Sequence, residues 1–326
     1  MKILRYFCIV ALIFAFCVTF AACGGSDGAD TTAQVIYYTV EFDSNGGSEV
    51  PPVKVVKGGN VPCPSSPVRD GYIFDGWAHN SVDWSFENDN VDGNMTLTAK
   101  WIDAQAVYNY APTDGGICIT EIKRELNIMR IPAKMNGLTV VAVGDGVFED
   151  VSSEDISQII LPETVTSVGK NAFANCTGIS ISIEGTLTSL GDGAFMGCDS
   201  LTSVTLGEGL TAIPFNAFNG CVALEAVRIP ESVTVICENA FEECTALSSV
   251  VLHSTTTVIE DAAFRFCDGL KTVYYYGTEA DFKSVSVASG NDSVKSARLY
   301  LYSEAKPDTS GDFWYLDSKG RIRIWK

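Results

Sequence analysis

Eleven cysteines and two histidines are the residues of this 326-residue chain best suited to metal, redox or nucleophilic chemistry. Their spacing argues against all three. Cys176, Cys198, Cys221, Cys244 and Cys267 follow one another at 22, 23, 23 and 23 residues, each closing an Ala-Phe-x-x-Cys phrase. A zinc site wants short paired spacings that let four ligands converge, and no Cys-x-x-Cys occurs. Cys63, Cys118 and Cys237 are isolated and take no role. His79 and His253 fall in different predicted domains, and cysteines in a repeat register are expected to be buried, protonated and inert. No nucleophile elbow, zinc-protease helix or phosphate loop is present. Carboxylate pairs exist in any acidic chain and identify no glycosidase by themselves. Glu41-x-Asp43-x-Asn45-Gly46 imitates the opening of a calcium loop, but its twelfth position is Pro52 where a bidentate Glu is needed. The expectation is no metal, no cofactor and no catalysis.

The elements that carry those cysteines are more informative. After each Cys comes an apolar strand: Leu201, Val204, Leu206; Leu224, Val227, Ile229; Leu247, Val250, Leu252; Leu270, Val273, Tyr275. Phe148 stands 25 residues before Phe173 and marks a degenerate first copy. A fixed period of this size signals a solenoid, in which each unit buries its apolar side only against its neighbours. Residues in one register then stack in columns about 4.8 Å apart. The cysteine column reads first as a ladder of small buried side chains. Disulfides between adjacent rungs are within reach, although five in a row cannot all pair.

These residues resemble the BspA-like (treponemal-type) leucine-rich repeat family. The likeness rests on Leu161–Cys176 (Leu-Pro-x-x-Val-Thr-x-Val-Gly-x-x-Ala-Phe-x-x-Cys) and on the opening Ile131-Pro132-Ala133-Lys134-Met135-Asn136-Gly137-Leu138. It covers roughly residues 117–276. The resemblance implies a right-handed solenoid on an envelope or secreted protein, with a binding or adhesive role and no named ligand. Upstream, Phe-Asp-Ser-Asn-Gly-Gly at 42–47, Pro-x-Arg-x-Gly-Tyr-x-Phe-x-Gly-Trp at 67–77 and Thr-Leu-Thr-Ala-Lys-Trp at 96–101 are similar to the internalin B-repeat (Listeria–Bacteroides repeat). That resemblance implies a small β-grasp-like module. Trp77, Trp84 and Trp101 read more readily as its core than as a sugar-stacking platform.

At the start, Lys2 and Arg5 precede an apolar run from Tyr6 to Phe20, the pattern of a secretory signal. Phe20-Ala21-Ala22-Cys23-Gly24 resembles a bacterial lipobox, which implies acylation of Cys23. The expected organisation is mainly β: 1–22 lipoprotein signal peptide, 23–34 flexible tether, 35–102 β-grasp-like module, 103–276 solenoid and 277–326 C-terminal cap. A cap is physically required, because the last rung otherwise exposes a sheet edge and an apolar face.

Removing Lys2 and Arg5 leaves 20 basic against 40 acidic residues, a net charge near −20. Such a chain repels nucleic acid, which is set aside as a partner. Strand alternation points one outward row through Ile160, Ser182, Thr205, Arg228, Val251 and Tyr274, and the next through Pro162, Glu184, Gly207, Pro230, His253 and Tyr276. Copy 179–184 is one residue short, so its register is a judgement. Arg228, His253, Tyr274 and Tyr276 thereby gather at the C-terminal end of the sheet and are residue types enriched at binding hot spots. They form a candidate patch for a protein or glycan of a host or neighbouring cell. The competing reading packs the tyrosines beneath the cap. The functional expectation is a lipid-anchored, surface-exposed, non-catalytic binder. Alternatives are an envelope scaffold and, less favoured, a polysaccharide-acting enzyme.

Overall fold

The computed structural model describes residues 35–151, 153–308 and 310–325. The expected signal peptide, the expected acylation site Cys23 and the expected tether lie outside these residues. The described chain divides into two compact units, one built from residues 35–69 together with Phe74–Ile102, the other from Asp70–Ile73 and residues 103–325.

In the first unit, alternating apolar residues build a five-stranded sheet. Its strands are β1 (Tyr37–Asp43), β2 (Val53–Val56), β3 (Tyr72–His79), β4 (Val82–Asp83) and β5 (Met95–Asp103), in the order β2-β1-β5-β3-β4. β1 pairs antiparallel with β2 and parallel with β5, which puts the first and last strands side by side at the centre, as in a β-grasp. No helix lies within this sheet's connections among the described residues. Val40, Phe42, Leu97 and Ala99 point to one face and bury Trp77 and Trp84 with them. Trp101 packs against this core, and its indole N–H donates to the Ser44 carbonyl at 3.0 Å. The three tryptophans are therefore structural, and no sugar platform forms from them.

The second unit opens with an antiparallel hairpin, Tyr108–Thr113 and Gly116–Ile122, that covers the first rung. One parallel wall then runs through Leu138–Val143, Ser167–Val168 and Ser189–Leu190. A second runs through Ile128–Arg130, Gln158–Leu161 and Ser180–Ile183. Both resume further on: the first as Ala212–Ile213, Val235–Ile236, Val258–Ile259 and Ser286–Val287, the second as Ala226–Arg228, Ser249–His253, Thr272–Tyr276 and Arg298–Tyr302. The chain is thus a mainly β solenoid.

The third side holds the Ala-Phe-x-x-Cys phrases. Phe148, Phe173, Phe195, Phe218, Phe241 and Phe264 stack with centroids 5.1–5.6 Å apart and planes within 14° of parallel. Each ladder cysteine donates its thiol to the carbonyl of the phenylalanine one rung earlier, from Cys176 to Phe148 at 3.2 Å through Cys267 to Phe241 at 3.0 Å. All five thiols are free and buried. Burial raises Cys198, Cys221 and Cys244 far above the usual thiol range and pushes Cys267 up to about 12. They are protonated donors at neutral pH, not nucleophiles.

Turning this corner takes two left-handed residues per rung. Their columns are Gly146, Asn171, Gly193, Asn216, Asn239, Ala262 and Asp150, Asn175, Gly197, Gly220, Glu243, Phe266, with φ from 54 to 74°. Glycine and asparagine adopt this geometry readily, whereas a phenylalanine there is costly. Phe266 is 54% exposed and gains little burial in return. Phe266→Gly should therefore raise stability by about 1 kcal/mol, less the weak stacking of Arg265 on the ring, and a urea titration would register it as a higher midpoint.

Both walls are interrupted at the same rung. Neither sheet continues from Ser180–Ile183 or Ser189–Leu190 into the next copy, and only an isolated bridge joins Leu187 to Leu206. The single outward row through Ser182, Thr205 and Arg228 read from the sequence does not form. The short copy leaves its strand out of step, and Gly207 lies so close to Thr186 that a Cβ there would sit 2.5 Å from its methyl. Ile183 and Leu206 are only half-buried, while Leu161, Ile229 and Leu252 at equivalent positions are fully buried, and Val204 is half-buried where Val227 and Val250 are buried. Continuity across the break rests on the phenylalanine side, where Phe195 N–H donates to Ala217 at 2.9 Å. Amides of residues 202–213 should therefore exchange with deuterium faster than those of residues 226–236, which hydrogen exchange by mass spectrometry would resolve.

The coil outlasts the sequence period. Beyond Tyr276, a capped helix (Glu279–Ser284) leads to Ser286–Val287, and a second helix (Asp292–Ser296) leads to Arg298–Tyr302. Each of these strands pairs in parallel with the last regular rung. Asn291 stands in for the missing next copy. Phe241 N–H donates to the Ala263 carbonyl of the following rung, and Phe264 N–H donates to Asn291 Oδ1 at 2.9 Å.

Candidate functional site

Parallel pairing sets Arg228 beside Val251 and Val251 beside Tyr274, and sets His253 beside Tyr276. Residues paired in this way share a face, so Arg228, Val251 and Tyr274 form one row and His253 and Tyr276 the next. The final segment changes their surroundings. Phe313–Leu316 continues the sheet from Leu301 and Tyr302, then turns back antiparallel as Ile322–Ile324. Asp317 holds this turn by accepting from Arg321 at 2.9 Å and Arg323 at 3.1 Å. Trp314 is fully buried against Tyr274, Tyr276 and Tyr302 at centroid distances of 5.5, 4.6 and 5.1 Å. Val251 and Tyr300 join this cluster and are buried.

The outward face is thus divided. Tyr274 and Tyr276 both wall the Trp314 socket, and Tyr274 also borders a groove with Tyr315, Ile322, Arg323, Ile324 and Trp325. Val251, outward by register, is no free surface. Arg228, His253 and Tyr276 form the open rim. His253 stacks on Tyr276 at 4.3 Å with 15° between the planes, and the Arg228 charge acts on the Tyr276 hydroxyl from the same side. Burial lowers the His253 pKa and Arg228 opposes protonation further, against the pull of Glu231 and Glu208. The ring is neutral at pH 7 and presents one donor and one acceptor. Burial also raises the Tyr276 hydroxyl, so it remains a neutral donor. The rim therefore offers one guanidinium, a neutral imidazole and an aromatic stack, with Glu208 and Glu231 beside them.

Sequence reading missed Tyr300, Tyr302 and Trp314, which hold the rim from behind. Leu299-Tyr300-Leu301-Tyr302 alternates as a strand should, but nothing in the period said that it forms another rung. Among the described residues, no three His, Cys, Asp or Glu side chains come together as a metal site.

Residues 179–286 match the BspA type Leucine rich repeat region in six copies, and residues 38–100 match the Listeria-Bacteroides repeat domain. The chain carries both families' repeats: a Listeria–Bacteroides repeat domain followed by BspA-type leucine-rich repeats. A Gly-rich membrane protein of Evansella cellulosilytica is 38% identical over 92 residues, which are 27% of this chain and 10% of that protein. Another membrane protein of that organism is 33% identical over 95 residues, 28% of this chain and 14% of that protein. The chain thus spans only a small part of the curated relatives it matches. Among solved structures, a leucine-rich repeat protein of T. pallidum is 27% identical with a TM-score of 0.47, over 56% of this chain and 83% of that one. A leucine rich cell surface protein from Faecalibacterium prausnitzii is 25% identical with a TM-score of 0.49, over 68% and 59%.

Proposed function

We propose that this protein is a non-catalytic cell-surface binder, held to the bacterial envelope through acylated Cys23, that engages a protein or glycan of a host or neighbouring cell. The contact surface is the rim of Arg228, His253 and Tyr276, with Tyr274 contributing from the edge of the Trp314 socket. The observation that carries this reading is the His253–Tyr276 stack with Arg228 on the same face of a parallel sheet that further rungs extend. Rigid aromatics beside an arginine lose little entropy on binding and suit a recognition surface. Leucine-rich repeats of this type belong to surface proteins with interaction roles, which supports the assignment at the level of class. The strongly acidic chain favours neutral or basic partners at long range.

The test is binding of purified residues 24–326 to immobilised matrix proteins, mucins and glycans. A saturable hit supports the binder. Co-purification of envelope components with no affinity for the panel would replace it with the scaffold. Separately, Cys23→Ser should release the protein from the membrane fraction, and retention there would refute the lipid anchor.

A further inference from the structure

The repeat domain at the start of the chain carries a groove along β5 and the end of β3 that mixes polar side chains with Ala78, Met95 and Ala99. Leu97 and Ala99 of β5 point into the core, so Thr96, Thr98 and Lys100 point out. Beside them β3 contributes Ala78, a small residue that leaves space where a larger side chain would fill the surface. The hollow has a volume of about 750 Å³, within the range of small-ligand clefts, and its rim comes from Asn45, His79, Asn80, Ser81 and Asn94.

Its shape is built. Asn80 and Ser81 both adopt left-handed backbone, with φ of 49 and 66°, in the two-residue turn joining β3 to β4. His79 braces that turn: its Nδ1 lies 3.1 Å from the Thr96 carbonyl and its Nε2 lies 3.0 Å from Asn80 Nδ2. For a neutral ring, both contacts are met only when Nδ1 carries the proton and Nε2 accepts from the amide. This leaves Asn80 Oδ1 as an acceptor toward the groove. Asn94 is fixed likewise, because its Oδ1 accepts from Thr39 N–H at 2.8 Å and leaves its amide N–H groups unspent. Asn45 donates to the Ala99 carbonyl at 3.3 Å and keeps its own oxygen.

The chemistry of the lining is selective. The only formal charge in it is Lys100, and that ammonium is spent on Asp83 at 2.7 Å and Asp75 at 3.3 Å. An anionic ligand would find no free cation, and Asp75 and Asp83 would repel it. An apolar peptide would meet Ala78, Met95 and Ala99 but leave the amides and hydroxyls unpaired. Asn side chains, Ser81, Thr96 and Thr98 instead supply groups that both donate and accept, which complement a ligand made of neutral hydroxyls. We infer that this groove is a binding site for a neutral oligosaccharide. Thr96 and Thr98 form its floor, and Asn45, Asn80 and Asn94 its hydrogen-bonding rim. The site is separate from the solenoid rim and does not depend on it.

The test uses purified residues 24–326 titrated with chitotetraose, cellotetraose, maltotetraose and mannotetraose, followed by calorimetry and by NMR saturation transfer. Thr96→Val/Thr98→Val removes two hydroxyls without changing shape, and Arg228→Ala serves as the control on the solenoid. At least one tetrasaccharide should bind saturably. The double variant should weaken it at least tenfold with an unchanged melting temperature, and Arg228→Ala should leave it unaltered. Absence of binding by all four sugars would overturn the inference. Binding that the double variant retains, or that Arg228→Ala abolishes, would also overturn it. Neither failure bears on the solenoid rim, whose ligand is scored separately.

Discussion

Trp314→Ala should destabilise the solenoid by about 3–5 kcal/mol, the usual range for emptying a buried tryptophan site. The indole is fully buried, its ring meets three tyrosines edge-on, and its N–H reaches the Tyr275 carbonyl at 3.4 Å. The terminal hairpin continues the sheet by only the Leu301–Phe313 and Tyr302–Trp314 pairs, so little else compensates for the loss. Chemical denaturation should show the drop. Near-ultraviolet circular dichroism should lose signal from the tyrosine cluster even where the rest of the coil stays folded. Trp314→Phe should recover part of the stability, because it keeps the edge-on contacts and loses only the N–H and one ring. Equal damage from both variants would mean that the N–H bond, not the packing, holds the hairpin.

Asn291→Ala should cost roughly 3–5 kcal/mol, from several buried partners each left unsatisfied at about 1–3 kcal/mol. The side chain is completely buried. Its oxygen accepts from Phe264 N–H, and its amide donates to the carbonyls of Glu260 at 2.8 Å and of Ala288 and Ser289 at 3.2 Å. The variant removes the group that imitates the next rung, so the damage should be local. Hydrogen exchange should rise first at Phe264 and its neighbours, while Phe195 and Phe218 amides keep their protection. Equal loss of protection along the whole stack would show that the coil unfolds as one unit and that this end is no separate cap.

What the sequence disclosed follows from where repetition constrains it. The Ala-Phe-x-x-Cys column could be read directly, because a 23-residue period leaves those side chains nowhere but inside. The tryptophan core of the first domain followed from the need of so small a domain to bury its largest side chains. The rest was hidden for two physical reasons. A solenoid end is stabilised by residues with no counterpart in the repeat, so Asn291, Tyr300 and Trp314 had no period to betray them. A shortened copy also shifts hydrogen-bonding partners without altering composition. Copy 179–184 could be seen to be one residue short, but the sequence left its register a judgement and did not show that both walls break there. Tyr274 and Tyr276 show the division at the candidate site. Alternation placed both outward, and only the path of residues 313–325 determines that both pack on Trp314, Tyr276 being stacked on His253 as well.

The central claim is that the rim of Arg228, His253 and Tyr276 is the contact surface. Its most direct test is the dissociation constant of the strongest ligand from the binding panel, measured for the unmodified protein and for Arg228→Ala/His253→Ala. Neither side chain belongs to the Trp314 cluster, so the melting temperature should stay the same. Affinity at least tenfold weaker in the variant is the expected result. An unchanged constant in a fully folded variant would contradict the claim and move the contact away from this end of the sheet.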